Sequence, residues 1–315
     1  MSSYLLAGQT KVKSGDPVND TDLTITLSGT NPIQAGATVG GAMTYFKGQF
    51  DSNQSVKKAE ALVTNVAITD KDKREISVEL DAQLKKNSDN NADVSIQAYA
   101  IATMETNESA AETGLFVIEN TKVHNNDSGS VNFDSDIVDV QVVMSGFNIS
   151  YENDHWIKKI EANTKNEALE NGEFTFDVDC QMIDDSNHTG GGDFYATLIG
   201  TKQTDPNWKI KSWNPNDGKK TVSSTGTSGL VAAYVFIRGY VLKYQGSDDH
   251  KVKKMVVDAG NSNLLITENK DNGDGTWSYE VTFTPTLSIK DDSGNDESKS
   301  DSTLDLLVVF VETNP

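Results

Sequence analysis

Apolar and polar residues alternate with a period of two in three stretches of the chain. The stretches cover residues 76–84, 174–182 and 279–289, the last of them interrupted by Pro285. Strands with one apolar and one polar face are typical of antiparallel sheets that cover a core on one side. Helical periodicity over ten or more residues is hard to find. The pattern therefore predicts an all-β protein.

Each alternating stretch belongs to a longer order of elements that occurs three times. An apolar strand ends at a glycine that is followed by an aromatic residue, then come a polar turn, a lysine pair, the alternating strand and a final apolar strand. The glycines and aromatics are Gly48 and Phe50, Gly146 and Phe147, and Gly239 and Tyr240. The lysine pairs are Lys57-Lys58, Lys158-Lys159 and Lys253-Lys254.

This order indicates internal repetition, with chance similarity among strands as the alternative. We interpret it as three tandem antiparallel β-sandwich modules, jelly-roll or immunoglobulin-like, of about 100 residues each. Polar, turn-rich segments near 120–133 and 203–228 separate the copies. The predicted organisation is module 1 at 1–120, module 2 at 121–204, and a connector plus module 3 at 205–315.

The net negative charge of the chain limits the molecules that it is expected to bind. The chain carries 27 Lys and Arg against 47 Asp and Glu, a formal net charge of −20. Such a chain repels nucleic-acid phosphates and anionic membrane surfaces. The longest apolar stretches fall far short of the roughly 20 residues that a membrane helix needs. We expect neither nucleic-acid binding nor membrane insertion.

The N-terminal residues and the cysteine content bear on the compartment. The first residues show neither a charged n-region nor an apolar h-region, so no secretory signal is expected. Cys180 is the single cysteine, so no intrachain disulfide is possible, and we expect it to be a small core residue. Together these features predict synthesis in the cytoplasm. They are also compatible with a later location outside the cell or in a particle, after release.

No catalytic residue is predicted. None of the four histidines lies in a zinc-protease helix or near a cysteine at metal-ligand spacing, and no serine elbow or phosphate loop occurs. Two histidines hold matching places in the turn before a lysine pair: His155 follows Asp154, and His250 follows Asp249. Either the aspartate caps the turn with the histidine at its rim, or a ligand pocket is repeated in two modules.

Calcium is the one cofactor that the acidic loops suggest, since it takes carboxylate oxygens. The candidate ligands are Asp271, Asp274, Asp291, Asp292 and Asp296. The alternative for the first two is a hairpin turn, because Asn-Gly and Asp-Gly favour left-handed backbone angles. The alternative for the other three is a long solvated loop.

Two further features have a structural and a functional interpretation. The lysine pairs either protect an edge strand or contact acidic faces of neighbouring subunits. Trp208 and Trp213 lie in a Pro- and Asn-rich segment and either stack a sugar ring or pack a connector onto the adjacent module.

The function predicted from these features is that of a non-catalytic structural or interaction protein. Repeated sandwich modules offer several faces and edges, as in homo-oligomeric virion, fibre or appendage components, and the expected partners are further copies of the chain or other particle proteins. The alternative is a carbohydrate-binding, lectin-like protein, with or without calcium, that uses Trp208, Trp213 and the Asp-His turns. Both predictions rest on architecture rather than on a site.

Overall fold

The computed structural model describes residues 4–27, 32–33, 37–87, 91–104, 116–133, 136–202 and 208–312. The first strands are β1 (Tyr4–Gln9), β2 (Lys13–Gly15), β3 (Val18–Thr26), β4 (Val39–Gln54), β5 (Val56–Asp70), β6 (Glu75–Lys85) and β7 (Asp93–Met104). The middle strands are β8 (Phe116–His124), β9 (Ser128–Asn132), β10 (Asp139–His155), β11 (Lys159–Glu170), β12 (Glu173–Ile183) and β13 (Thr189–Thr201). The last are β14 (Trp208–Trp213), β15 (Lys220–Gly226), β16 (Leu230–Lys243), β17 (Val252–Asp258), β18 (Leu265–Asp271), β19 (Trp277–Phe283), β20 (Thr286–Lys290) and β21 (Thr303–Glu312).

These ranges contain no α-helix and one 3₁₀ turn, at Asn261–Asn263, which confirms the all-β prediction. They also contain no helix with the length and apolar content needed to span a bilayer. All strand pairs are antiparallel. One sheet has the order β1-β7-β4-β17-β20 with β2 on β7, a small sheet has the order β15-β19-β18, and the largest runs β14-β21-β16-β11-β12-β13-β10-β5-β6-β3, with β8 on β13 and β9 on β12.

Three segments of the chain repeat the same strand pairing, and we name them copy 1 (39–104), copy 2 (139–201) and copy 3 (230–312). In each copy the first strand pairs with the last: β4 with β7, β10 with β13, and β16 with β21. A register shift interrupts each of these pairs at the same place, directly after Met43, Met144 and Ile237. The residues that follow the shift, Tyr45, Gly146 and Gly239, therefore occupy equivalent positions in the three copies.

The copies are joined by strands that pair across their boundaries. The first strand of copy 2, β10, pairs with β5 of copy 1, and the first strand of copy 3, β16, pairs with β11 of copy 2. The first strand of copy 1, β4, pairs with β17 of copy 3. The register is the same each time, because Phe147 lies opposite Ala61, Tyr240 opposite Ala162 and Phe46 opposite Val257. The three copies therefore close into a ring with approximate threefold symmetry.

Three equivalent aromatic residues occupy the centre of the ring. The ring centroids of Phe46 and Phe147 are 5.6 Å apart, and those of Phe147 and Tyr240 are 5.5 Å apart, both edge to face. All three side chains are buried, and one hydrophobic cluster extends through all three copies. Aromatic pairs in this geometry contribute about 0.5–1.5 kcal/mol beyond their buried area. The copies thus share a core instead of standing as separate beads.

The register corrects the alignment of the first copy. Gly146 and Gly239 occupy the same position at the register shift, but copy 1 has Tyr45 there, and Gly48 lies three residues further along. The central aromatic of copy 1 is accordingly Phe46 and not Phe50. Glycine is needed in copies 2 and 3 because the neighbouring strand approaches closely: a Cβ on Gly146 would lie 2.4 Å from the carbonyl oxygen of Ala61.

The lysine pairs hold equivalent positions, but the edge-strand interpretation is wrong. Their strands β5, β11 and β17 each lie between two neighbours in a sheet. Lys58 Nζ lies 2.9 Å from a carboxylate oxygen of Glu60, and Lys159 Nζ lies 2.5 Å from one of Glu161, each two residues along the same strand. These ammonium groups therefore lie beside carboxylates on the polar face of an internal strand.

The cysteine lies in the core of copy 2. Cys180 is fully buried in β12, its sulfur is not in a disulfide, and its backbone N–H donates to Asn125 Oδ1 at 2.8 Å. Burial raises the pKa of its thiol, so the sulfur stays protonated near neutral pH. Cys180 is an inert core residue, as the sequence predicts.

Candidate functional site

At one end of the ring, the turn after the first strand of each copy meets the turn that follows an alternating strand of the neighbouring copy. Three equivalent hydrogen bonds join the copies here: Asn87 Nδ2 to Asp154 Oδ1 (3.0 Å), Asp185 N–H to Asp249 Oδ2 (3.5 Å), and Asp292 N–H to Asn53 Oδ1 (2.6 Å). Asp154 and Asp249, which the sequence presents as turn caps or ligands, thus accept hydrogen bonds from the neighbouring copy. Their neighbours in the sequence, His155 and His250, lie at equivalent positions.

In copy 2 this end of the ring holds a cluster of two histidines and one aspartate. Asp184 Oδ2 lies 3.1 Å from His155 Nδ1 and 2.7 Å from His188 Nδ1. One oxygen or nitrogen atom from each of the three side chains lies within 4.8 Å of the other two. It is the one group of three or more such side chains in the described ranges that could hold a metal ion.

Local structure fixes the position of each member. Asp184 directly follows β12, and His188 directly precedes β13. The N–H of His188 donates to Asp184 Oδ1 at 2.8 Å, which closes the turn and places the imidazole of His188 beside the second carboxylate oxygen. His155 is the last residue of β10. Three segments that are distant in sequence thus converge because β10 and β12 both pair with β13.

The carboxylate at the centre of the cluster is ionised near neutral pH. Burial alone would raise the pKa of Asp184, whose side chain is 6% exposed, but hydrogen bonds from His188 and His155 outweigh this effect and lower it. The carboxyl of Asp249 lies nearby, and burial together with the charges of Asp185 and Asp184 raises its pKa. The surroundings of the two imidazoles are therefore strongly negative.

A buried tyrosine lies against the cluster. The ring centroid of Tyr151 is 4.5 Å from that of His155, and the residue is 5% exposed. Its hydroxyl oxygen has no hydrogen-bond partner among the described residues. Burial raises the pKa of this hydroxyl, and the charges of Asp184 and Asp249 raise it further. The site thus contains a buried polar atom whose hydrogen-bonding capacity is unused.

Copy 3 repeats the arrangement with one histidine fewer. His250 Nδ1 lies 3.7 Å from Asp291 Oδ2, and Asn295 stands where copy 2 has His188, with its Nδ2 donating to the same oxygen at 2.7 Å. Tyr244 stands where copy 2 has Tyr151, and its hydroxyl donates to the carbonyl of Lys251 at 3.0 Å. The counterpart in copy 3 has one imidazole and a tyrosine whose hydroxyl is hydrogen-bonded.

Copy 1 has neither the histidine of β10 nor the aspartate after the alternating strand at these positions. Gln54 stands at the position of His155, and Lys86 at that of Asp184. The ammonium of Lys86 donates to Gln54 Oε1 at 3.1 Å. A cation in this place excludes metal binding, so the three copies carry three different chemistries on one scaffold.

Sequence reasoning identified His155 and His250 as equivalent but did not connect Asp184 or His188 with them. The signal available was the spacing of four residues between Asp184 and His188 in a turn between two strands. Its connection to His155 depends on the strand pairing, which residue types alone do not encode.

The calcium candidate Asp271 is the last residue of β18, and Asp274 lies in the hairpin turn between β18 and β19. Asp271 Oδ1 accepts the N–H of Gly273 at 2.8 Å, and Asp274 Oδ1 accepts the N–H of Thr276 at 3.0 Å. Gly273 has a φ of 78°, in the left-handed region that such a turn requires. Both carboxylates thus hold the turn's own backbone.

The other three calcium candidates are divided among different contacts. Asp291 Oδ1 accepts the backbone N–H groups of Ser293 (2.8 Å) and Asn295 (2.9 Å), which again closes a turn. The carboxylate of Asp292 pairs with Lys253. Asp296 and Asp291 both line a cleft of about 380 Å³, together with Glu297, Lys290 and Lys299. Asp292 is not among the residues that line this cleft, and the three carboxylates do not form a metal-ligand group among the described residues.

The two connector tryptophans face the interior. Trp208 is 8% exposed and donates its indole N–H to Asp139 Oδ2 at 2.8 Å, and Trp213 is 4% exposed and donates to the carbonyl of Gly218 at 2.7 Å. Both lie on β14, which pairs with β21. Trp156, next to His155, is 47% exposed, and the ammonium of Lys251 lies 5.5 Å from the centroid of its ring.

No protein-family model matches this sequence, and no curated protein matches it at a significant level.

Proposed function

We propose that this protein is a non-catalytic structural subunit that associates with further copies of itself, as a virion, fibre or appendage component does. We further infer that each copy, with the strands that precede it, is a jelly-roll or immunoglobulin-like β-sandwich module whose sheets continue into its neighbours. The modules would follow the boundaries 1–120, 121–204 and 205–315. The closed ring supports this proposal, because a rigid block with shared sheets is suited to stacking and lateral packing.

The observation that carries the proposal is an exposed apolar patch beside an open sheet edge. All seven residues of β18 are exposed, and among the described strands it pairs with β19 alone. Leu265 and Ile266 on this strand are 61% and 42% exposed. The start of β16 lies alongside, because Asn269 hydrogen-bonds the N–H and the carbonyl of Leu230, and Val231 there is 57% exposed.

We infer that the occupant of this edge is the same edge of a second copy. Two β18 strands that pair antiparallel about Asn269 would place Glu268 of each copy opposite Lys270 of the other. Opposite charges at facing positions stabilise an antiparallel pair, and a twofold contact of this kind closes on itself. The net charge of −20 opposes association over longer range, so added salt should strengthen it.

The test is the solution mass by light scattering over a range of protein and salt concentrations, followed by negative-stain imaging of each species. The wild-type chain should show twice the monomer mass or more, and the associated fraction should rise with salt. Ile266→Lys places a charge in the proposed contact and should leave a monomer.

Val138→Lys is the matched control, because Val138 is also 48% exposed but lies outside the strands. This variant should associate as the wild type does. A wild-type chain that stays monomeric at every concentration would refute the proposal. Equal association of Ile266→Lys and the wild type would refute the assignment of the contact to β18.

Carbohydrate binding is the second candidate function, and the exposed ring of Trp156 favours it. The ammonium of Lys251 lies 5.5 Å from the centroid of this ring, and Asp154 and His155 directly precede Trp156 in the sequence, so a sugar could stack on the ring and bond to polar neighbours. A glycan array would identify the ligand, and its binding should change tryptophan fluorescence in the wild type but not in Trp156→Ala. No array signal, together with unchanged fluorescence, would remove this candidate.

A further inference from the structure

We propose that His155 Nδ1, Asp184 Oδ2 and His188 Nδ1 bind one Zn²⁺ ion at the end of copy 2. Two imidazole nitrogens and one carboxylate oxygen form a ligand set that zinc accepts, with water in the fourth position. Calcium is not suited to this set, since it takes six to eight oxygen ligands. The site is independent of self-association through β18.

The distances suit a tetrahedral ion with little rearrangement. Zinc binds nitrogen and oxygen at about 2.0–2.2 Å, so two ligand atoms of a tetrahedral site lie about 3.3–3.5 Å apart. Asp184 Oδ2 lies 3.1 Å and 2.7 Å from the two imidazole nitrogens. Small side-chain rotations would open this space. The exposure of His188, whose side chain is 65% exposed, gives the ion access from solvent.

The surrounding groups complete the environment that a metal site requires. Asp184 Oδ1 accepts the N–H of His188, which fixes the orientation of the carboxylate and leaves Oδ2 directed at the imidazoles. Asp249 lies close enough to Asp184 for the two carboxyl groups to interact electrostatically. A second carboxylate near the site strengthens its attraction for a dication.

The hydroxyl of Tyr151 is an independent observation that points to a ligand. It is buried, it lies beside His155, and it has no partner among the described residues. Buried hydroxyls are nearly always hydrogen-bonded, and this one lies beside a cluster that is open to solvent at His188, so a species bound there would complete its hydrogen bonding. A metal-bound water could accept a hydrogen bond from this hydroxyl. The hydroxyl of the equivalent Tyr244 in copy 3 donates to the backbone carbonyl of Lys251.

The other two copies show that the scaffold does not require this ligand set. The same positions hold Gln54 and Lys86 in copy 1, and His250, Asp291 and Asn295 in copy 3. The turn after the alternating strand closes in the same way in copies 2 and 3, with Asp184 accepting from His188 and Asp291 from Asn295. The second imidazole is therefore an addition specific to copy 2, which gives the experiment its internal control.

The test is titration of the full-length chain with zinc chloride, followed by calorimetry and by competition with a chromophoric chelator. The wild type should bind one equivalent. His188→Gln keeps a side-chain hydrogen bond to Asp184, as Asn295 does to Asp291 in copy 3, and should weaken binding by about 10–100-fold or more. Asp184→Asn should do the same, while excess calcium chloride should leave the zinc isotherm unchanged.

Two histidine variants are the matched controls. His250→Gln alters the equivalent position in copy 3, and His124→Gln alters an exposed histidine that contacts Asp193 at 2.9 Å. Both should bind zinc as the wild type does. Zinc should also raise the melting temperature of the wild type and of both controls, and should raise that of His188→Gln less at the same zinc concentration.

Two results would overturn the proposal: a wild type that binds no zinc at micromolar concentrations, or a His188→Gln variant with wild-type affinity. Circular dichroism of each variant separates loss of the ligand from loss of the fold. A variant that unfolds is replaced by His155→Gln, for which the same loss of affinity is expected.

Discussion

Replacing Tyr240 by phenylalanine should stabilise the protein. The hydroxyl of Tyr240 is buried at the centre of the ring and has no hydrogen-bond partner among the described residues. Burial raises the pKa of this group far above its ordinary value, so it is a neutral hydroxyl in an apolar surrounding. The equivalent positions of the other copies hold Phe46 and Phe147, which pack in the same way without the oxygen.

The expected magnitude follows from the cost of an unsatisfied buried hydroxyl, about 1–3 kcal/mol. Tyr240→Phe removes that cost and keeps the ring contact with Phe147. The free energy of unfolding should therefore rise by about 1 kcal/mol or more. Guanidinium unfolding followed by tryptophan fluorescence measures it, with the midpoint compared at equal slope.

Tyr244→Phe is the matched control. It also removes a tyrosine hydroxyl, but this one donates a hydrogen bond to the carbonyl of Lys251 at 3.0 Å. Loss of a hydrogen bond of this kind lowers the free energy of unfolding by about 0.5–1.5 kcal/mol. The two substitutions should thus have opposite signs. A Tyr240→Phe variant that is destabilised as much as the control would refute the reasoning, since the hydroxyl would then have a partner.

Three further substitutions test the packing and the electrostatics by the same unfolding assay. Gly146→Ala drives a Cβ against the carbonyl of the adjacent strand and should cost about 1–3 kcal/mol, whereas Gly191→Ala, whose Cβ would meet nothing nearer than 3.7 Å, should be nearly neutral. Trp208→Phe loses the indole hydrogen bond to Asp139 and should cost about 1–3 kcal/mol; an unchanged midpoint would contradict the buried connector. Burial raises the pKa of Asp258, so the folded state keeps this proton to a higher pH than the unfolded chain does. The contribution of Asp258 to stability should fall as the pH rises from about 4 through the raised value, so the difference in unfolding free energy between the wild type and Asp258→Asn should shrink or reverse over this range; a difference that does not change with pH would contradict it.

The alternating pattern predicted the strands well, because period-two alternation reports which side chains face a core. Residues 76–84 and 174–182 lie within β6 and β12, and residues 279–289 lie in β19 and β20, with the break at Pro285. The lysine pairs also marked equivalent positions. Alternation fixes the face of a strand, however, and not its partner. The pairing of β4 with β17, which closes the ring, therefore lay beyond the sequence.

The candidate site shows the same limit more sharply. His155 and His250 were found as a matched pair because each follows an aspartate at the same place before the lysines. Asp184 and His188 approach His155 only through pairing of β10 and β12 with β13. Gly48 was misaligned because copy 1 has Tyr45 at the position where the other copies have Gly146 and Gly239, and Gly48 with Phe50 imitates the glycine-aromatic pattern three residues further along.

The closure of the ring is tested most directly by amine cross-linking of the monomer fraction, followed by mass spectrometry. Lys47 on β4 and Lys254 on β17 lie on adjacent strands, although the first is in copy 1 and the second in copy 3. Burial lowers the pKa of Lys254, and the ammonium groups of Lys47 and Lys290 lower it further, so this amine loses its proton at a lower pH than an ordinary lysine does.

A cross-link between Lys47 and Lys254 within one chain is the predicted result. The pair Lys58 and Lys85, which lie opposite each other on β5 and β6 of copy 1, is the internal standard. If the standard pair is linked and Lys47 is never linked to Lys254, the first and third copies are not neighbours, and the ring does not exist.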